Sequence, residues 1–485
     1  MASANSYDNP EGRHDQDSLT GTPNMPVTDE IIEYENGSCK RLGLEDYQRY
    51  NKGGFHPVHL DDILDGRFEV VHKLGNGGFG IVWLCRDITL EKWRAVKVMA
   101  ADHSSSGTEE KILSHLRNTC TPKELEDNHI MMPLEQFWLE GPNGRHICQV
   151  LPVCGLQVSN WRLKLLDYKP GTEEAVRNVC GQIVKSLHFL HSHGICHGDF
   201  RPANILMKIE GIDELDKEEV LEMLGEIAIY DIETTSGEPA GPRAPEYSVQ
   251  PVDQRWCKKL WTNSIAIIDF GESFFTESPP QSTGIPALYA APEVLFKGTG
   301  SLGPHSDIWS LACTIYEIRT VAPLFASDIC GGFGIPVLEI ESYLGPMPPK
   351  YSRVFFEMLR SIRAPRSVEP EHSNREPDQT SEVQPEQTSE AQPEQEGSLE
   401  SQEEGPSLLV FEEILGQEQR VYRDLQDPKD VPAEFQSSEF ITWRDSQEEV
   451  AELADLMRQM LKYNPDERST IEAIASHPWV IHSIV

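Results

Sequence analysis

Apolar and polar residues alternate from Arg67 to Leu74, the period at which a strand buries one face. The alternation resumes from Ile81 to Leu84 after the turn Gly75-Asn76-Gly77-Gly78-Phe79-Gly80. Arg94-Ala95-Val96-Lys97-Val98 predicts a third strand. A fourth runs from Arg145 through Val150 and Leu151 into Pro152 and the break at Gly155. Beyond Thr172, a candidate cap followed by Glu173 and Glu174, the period changes. Val176, Val179, Cys180, Ile183, Leu187 and Leu190 recur at helical spacing and predict a core helix. Ser306 to Ile318 is apolar nearly all round, which predicts a helix buried on every side, and Ala451 to Leu461 predicts another near the C-terminal end.

Where the pattern fades, the chain divides. Residues 1–52 are rich in Asp, Asn, Ser, Gly and Pro and read as a disordered or loosely docked tail. Residues 53–153 hold the strands, and 154–364 begin the helical part with an insert at 207–264. In that insert Asp216-Lys217-Glu218-Glu219 predicts a capped short helix. Pro377 to Gln384 is nearly repeated in Pro385 to Gln392, but the unit has no apolar face to stack, so 365–406 reads as a disordered acidic insert. Residues 407–485 complete the helical part.

Lys plus Arg number 42 against 79 Asp plus Glu, a formal charge of −37. Such a field repels nucleic acid and anionic membrane and favours basic partners. The ten cysteines contain no Cys-x-x-Cys pair, no leader-like opening is present, and no run of 18 apolar residues occurs. We expect free thiols in the cytoplasm or nucleus, no membrane span, and a monomer. His56 and His59, and the cluster His191, His193, Cys196 and His197, invite a metal reading. An entry loop and a helix C-terminus account for them more simply.

The chemistry gathers at His197-Gly198-Asp199-Phe200-Arg201-Pro202-Ala203-Asn204. Asp199 and Asn204 stand five apart, the spacing at which one loop presents a carboxylate to a hydroxyl and an amide oxygen to a cation. Asp269-Phe270-Gly271 follows the apolar run from Ile265 to Ile268, and Ala291-Pro292-Glu293 follows 22 residues beyond Asp269. The glycine turn lies between strands, where backbone amides can approach phosphates. A dinucleotide site would instead need a helix after the glycines. Lys97, flanked by Ala95, Val96 and Val98, should point into a crevice or pair with a carboxylate. Glu109 is the expected partner and Glu110 its rival, because register across the Ser104 to Gly107 loop is open. Glu293 has a candidate partner in Arg468.

Together these motifs resemble the eukaryotic protein kinase signature set over Phe68 to Val480. The His-Gly-Asp-Phe-Arg-Pro wording, the long insert before Asp269, Ile268 to Phe274 and the Pro57-Val58-His59-Leu60 approach resemble the SR-protein kinase group, its fungal branch in particular. The resemblance implies an α+β fold of two lobes: a small antiparallel β-rich N-lobe and a larger, mainly helical C-lobe. It implies ATP and Mg²⁺ as cofactors. Asp199, Lys97 and Arg201 would be catalytic, and Asn204 and Asp269 would be metal ligands. Leu74, Gly75, Gly77, Gly80, Val82, Ala95, Lys97, Glu109, Leu151 and Cys154 would form the nucleotide site, with the Cys154 N–H facing adenine. It also implies phosphorylation of Ser/Thr in basic, Arg/Ser-rich proteins and a link to splicing.

Three positions depart from the family wording. Gly198 stands where an arginine usually answers activation-segment phosphorylation, which leads us to expect activity independent of that phosphorylation. Arg201 replaces the usual lysine, and Ile285 stands where a threonine is usual. A pseudokinase scaffold and a small-molecule phosphotransferase are the competing readings. The filled lysine, aspartate and asparagine positions speak against the first, and Glu293 with Arg468 against the second.

Overall fold

The computed structural model describes residues 31–36, 39–104, 107–164, 172–253, 256–296, 298–325, 337–363, 411, 415 and 447–481. The four predicted strands, joined by two that the pattern did not announce, form an antiparallel sheet of β1 (Ile63–Leu64), β2 (Phe68–Gly77), β3 (Gly80–Asp87), β4 (Lys92–Met99), β5 (Glu135–Gly141) and β6 (Gly144–Leu151), in the order β1-β2-β3-β4-β6-β5. The two additions are β1 and β5. The helix Thr108–Thr119 follows β4.

This sheet is covered on both faces, which simple alternation does not announce. On the outer face Val70, Trp83, Cys85, Val96, Val98, Cys148 and Val150 pack beneath Tyr34, Tyr47, Tyr50, Phe55 and Val58 from the N-terminal segment. Ile232, Ala244 and Val249 from the insert join the same cluster. The two additions are stitched together where Glu35 N donates to Glu233 O (2.9 Å) and Thr235 N to Glu33 O (3.0 Å). Residues 31–36 and 39–52, from the stretch expected to be disordered or loosely docked, form a strap packed on the sheet. Three tyrosines, buried among polar and glycine-rich neighbours, carry the docking of this strap, and composition alone conceals them.

The insert is equally built. Its short helix Lys217–Leu224 opens on a capping box, with Glu219 N donating to Asp216 Oδ1 and Asp216 N to Glu219 Oε2, both at 2.9 Å. Val220 and Leu224 from that helix pack with Val71, Leu84, Trp93 and Val153 near the connection between lobes. The Trp93 N–H donates to Asp213 (2.8 Å) and its indole N–H to Leu215 O (3.1 Å).

After β6, the strands β7 (Cys154–Gln157), β8 (Ile195–Cys196) and β9 (Ile205–Ile209) lead to the insert's pair β10 (Ile229–Asp231) and β11 (Tyr247–Val249). Then come β12 (Trp261–Ile267) and β13 (Phe274–Phe275). β12, β9 and β7 form one small sheet, and β13 pairs with β8. The C-lobe core surrounds the helix Thr172–Ser192, whose Val176, Val179, Cys180, Ile183, Leu187 and Leu190 are all buried. The helix begins at Thr172 itself, the residue expected to cap it. Beside it runs Pro304–Thr320, buried on nearly every side as its composition predicts. Gln447–Met460 packs against Pro304–Thr320 and adds Leu453, Met457 and Met460 to the same core. No helix among the described residues is long and apolar enough to cross a membrane. The acidic stretch 365–406 lies outside the described residues.

Candidate active site

The loop between β8 and β9 is held from beneath by one carboxylate. Asp307, in the buried helix Pro304–Thr320, accepts from the backbone N–H of His197 (2.7 Å), the N–H of Gly198 (3.0 Å) and His191 Nε2 (3.0 Å). Burial alone would raise its pKa, but these donors hold the carboxyl below the usual range. Sequence reasoning missed this residue. The signal was present, since an aspartate in a helix apolar nearly all round needs donors. His191, Cys196 and Asp307 offer ligand atoms within 4.8 Å of one another, yet the donors on Asp307 close that group as a hydrogen-bond cluster.

Gly198 has φ +77°, and a Cβ there would lie 2.2 Å from the Glu272 carbonyl oxygen. No arginine fits. The departure from the family wording is thus set by backbone packing of the segment after Asp269. That segment is fastened by other means: Ser273 Oγ donates to His197 O (2.8 Å), Gly284 N donates to Glu272 Oε2 (2.8 Å), and Phe274 and Phe275 pair with Cys196 and Ile195.

Asp199 is buried. Its carboxylate accepts from Arg201 Nε at 2.8 and 3.0 Å and from Asn204 Nδ2 at 2.7 Å. Asn204 Nδ2 also donates to Asp199 O (2.8 Å), which leaves the amide oxygen as that side chain's acceptor for a cation. Ile268 N donates to Asn204 O (3.0 Å), so the next residue, Asp269, is registered against the loop. Asp269 sits at φ +66°, a conformation uncommon for a residue with a side chain.

Lys97 Nζ lies 3.0 Å from Asp269 Oδ1. Burial would lower the lysine pKa, but the charges of Asp269 and Glu109 raise it; burial would raise the Asp269 pKa, and Lys97 pulls it down. The expectation that Glu109 holds Lys97 needs correction: the ion pair is with Asp269. Glu109 acts through its charge from the helix Thr108–Thr119. Glu110 is excluded as the partner, because it pairs with Arg117 at 2.9 Å.

Cross-strand register brings the expected nucleotide-binding positions together. Val82 stands opposite Lys97, and Ala95 opposite Leu151, which places these side chains on the inner sheet face. Gly75 lies opposite Val82, and Cys154 opposite Lys208 across β7 and β9. At Gly75 and Gly77 an added Cβ would meet no atom within 4 Å. At Gly80 it would lie 2.4 Å from Val98 O, so this glycine serves packing. Leu74 is partly buried against the apolar cluster that includes Val153 and Leu224.

The donor set fits Mg²⁺: a carboxylate and an amide oxygen, hard ligands of the kind that leave room for phosphate oxygens. Farther out, Glu293 and Arg468 form a fully buried bidentate pair at 2.7 and 2.8 Å, with Ser306 Oγ donating to Glu293 (2.9 Å).

Comparison with known proteins agrees with this geometry. The protein kinase domain family model matches residues 68–224 and 255–333. Human SRSF protein kinase 3 is 36% identical over 167 residues, which are 34% of this chain and 29% of that protein. Serine/threonine-protein kinase SRPK of Physarum polycephalum is 28% identical over 301 residues, 58% of this chain and 66% of that protein. Serine/threonine-protein kinase SKY1 of Saccharomyces cerevisiae is 31% identical over 195 residues, 37% of this chain and 26% of that protein. The matched part thus spans under a third of the length of the first of these relatives.

Proposed function

From the premise that this chain carries a eukaryotic protein kinase domain resembling the SR-protein kinases, we propose that it transfers the γ-phosphate of ATP to Ser/Thr hydroxyls of basic, Arg/Ser-rich proteins. The observation that carries the reading is the convergence of two directly hydrogen-bonded pairs, Asn204 with Asp199 and Lys97 with Asp269, brought into register by Ile268 N donating to Asn204 O.

Asp199 orients the substrate hydroxyl and accepts its proton. Its pairing with Arg201 places a fixed cation beside the reacting phosphate. Lys97 grips the α and β phosphates, and displacement of its amino group from Asp269 frees that carboxylate. Asp269 and Asn204 would hold Mg²⁺, which would supply charge neutralisation on the phosphate oxygens. The remaining contribution is positioning: Asp307 fixes the backbone on which Asp199 is mounted. Leu74, Val82, Ala95 and Leu151 would enclose the adenine, and the Cys154 N–H would donate to it.

Because Gly198 offers no guanidinium and the segment after Asp269 is fastened by Glu272 and Ser273, activity does not depend on phosphorylation of that segment. The net charge of −37 favours basic substrates over nucleic acid and anionic membrane. The described cysteines are all free, and a monomer of the cytoplasm or nucleus belongs to the same reading.

The test is labelling by the phosphatase-treated full chain of an Arg/Ser-repeat peptide and an acidic control peptide. Labelling of the Arg/Ser peptide alone, undiminished by phosphatase, is the expected result. No labelling of either peptide or of a generic basic protein would leave the scaffold reading. Loss on phosphatase treatment alone would remove the phosphorylation-independence.

A further inference from the structure

The glycine turn between β2 and β3 stands over the place assigned to the nucleotide phosphates, yet among the described residues no atom lies within 4 Å of a Cβ added at Gly75, Gly77 or Gly78. A two-stranded flap of this kind opens easily unless it is held elsewhere.

It is held from outside. At the base, Lys73 is fully buried, and its amino group reaches Glu45 Oε2 of the strap (2.6 Å) and Ser248 Oγ of the insert (3.0 Å). Ser248 Oγ donates to the same Glu45 oxygen (2.8 Å), and Tyr50 Oη donates to Glu45 Oε1 (2.8 Å). The Lys73 ammonium also lies 5.3 Å from the centroid of the Trp83 ring. The Lys73 carbonyl accepts from Val252 N of the insert (2.9 Å). The pairing of β2 with β3 shifts register between Lys73 and Gly75, so the flap leaves the sheet at this anchored residue. At the shoulder, Asn76 Nδ2 donates to Gly43 O of the strap (2.8 Å). At the far end, the Phe79 carbonyl accepts from Ala100 N (2.9 Å). Two of these three anchors belong to segments outside the sheet.

We propose that the strap around Gly43 and Glu45 and the insert around Ser248 and Val252 are the outer half of the nucleotide site, with Asn76 and Lys73 as positioning residues for the glycine loop. The inference rests on the kinase reading above. Its physical content is pre-organisation: a loop already held over the phosphates loses less freedom when ATP binds. The grip is one-sided, so the inner face stays free for the ligand. Buried polar contacts that only joined strap to sheet could have fallen anywhere on the outer face. Here they converge on the two residues that flank Leu74 and Gly75.

Asn76 is only partly buried and makes one side-chain contact across the seam, so its replacement separates loop positioning from folding. Asn76→Asp keeps the shape but turns an acceptor toward the Gly43 carbonyl; Asn76→Ala removes the group; Asn76→Gln keeps the donor. In the full chain, MgATP affinity by calorimetry and steady-state labelling of the Arg/Ser peptide are measured for each, with the melting temperature alongside. We expect Asp and Ala to raise both Kd and KM for ATP about three- to tenfold. With Gln the rise stays within about twofold. Across the three, kcat is unchanged or higher and the melting temperature is unmoved, because a looser flap releases product at least as fast. A second variant, Glu45→Met with Lys73→Met and Ser248→Ala, replaces the buried polar group by apolar volume and should show the same split between KM and kcat. Asn76→Asp binding MgATP as tightly as the unmutated chain would overturn the inference and leave the kinase reading standing. An unmutated chain that neither binds MgATP nor labels peptide would overturn both.

Discussion

The two loops that would meet across a nucleotide are held in opposite ways. The catalytic loop rests on its own lobe: Asp307 beneath it and Ser273 beside it belong to the same helical domain. The glycine loop is held by segments that are not part of its sheet, with Glu45 and Ser248 lying 203 positions apart in the chain. The first arrangement makes the loop as stable as the C-lobe core. The second makes it as stable as the docking of strap and insert, which is a separable property. A buried ion pair can be compared in each lobe, Glu293 with Arg468 below and Glu45 with Lys73 above.

Breaking one partner of each pair should sharpen the contrast most. Arg468→Ala and Lys73→Ala each leave a buried carboxylate uncompensated and should cost about 3–5 kcal/mol in urea unfolding. Among molecules that remain folded, only the second should weaken MgATP binding. Equal loss of affinity in both would erase the distinction.

Gly198→Ala comes next. A Cβ 2.2 Å from Glu272 O at φ +77° must displace one backbone, adding about 1–3 kcal/mol of strain and moving Asp199. The expected readout is a kcat loss larger than any change in KM for ATP. A substitution neutral in kcat would show that this backbone yields without consequence.

Acid should act on the lower pair. Burial alone would raise the Glu293 pKa, but Arg468 holds it below its ordinary 4.5. A carboxylate with a depressed folded-state pKa contributes stability that is complete above that ordinary value. The contribution fades as pH falls through the folded value. The stability gap between the unmutated chain and Glu293→Gln should therefore be constant from pH 7 to about 5 and narrow below pH 4.5. A gap that narrows between pH 7 and 6 would assign it to another group.

The smallest effect expected is at Arg201. Arg201→Ala removes a charge-assisted hydrogen bond to Asp199 and should lower kcat about tenfold. Arg201→Lys should recover most of that loss. A lysine variant as slow as the alanine would mean that the guanidinium geometry, not its charge, matters.

What could be read from the sequence follows the same division. Asp199 and Asn204 announce themselves because they are partners five positions apart, Asp269 because it stands in recognisable wording after an apolar run, and the strands around Lys97 because their pattern repeats with a simple period. Glu293 and Arg468 lie far apart, yet each sits in recognisable wording. Glu45 and Ser248 carry no such wording, and Asn76, although inside the glycine turn, gives no sign of a partner in the N-terminal strap. A glutamate in a polar tail and a serine in a Pro/Gly-rich insert look solvated, and only the fold removes both from water. Lys97 shows the limit from the other side: its need for a carboxylate was legible, but the choice of Asp269 over Glu109 depends on where one helix sits relative to the sheet.

The central claim is that the Asp199 constellation performs phosphoryl transfer. The most direct test is Mg²⁺-dependent transfer of the ATP γ-phosphate to an Arg/Ser-repeat peptide by the full chain and by Asp199→Ala at matched MgATP occupancy. We predict labelling by the unmutated chain and a loss of about 10²–10⁴-fold in kcat with MgATP affinity retained in the variant. Equal labelling by both, or none by the unmutated chain when MgATP is bound, would contradict the account.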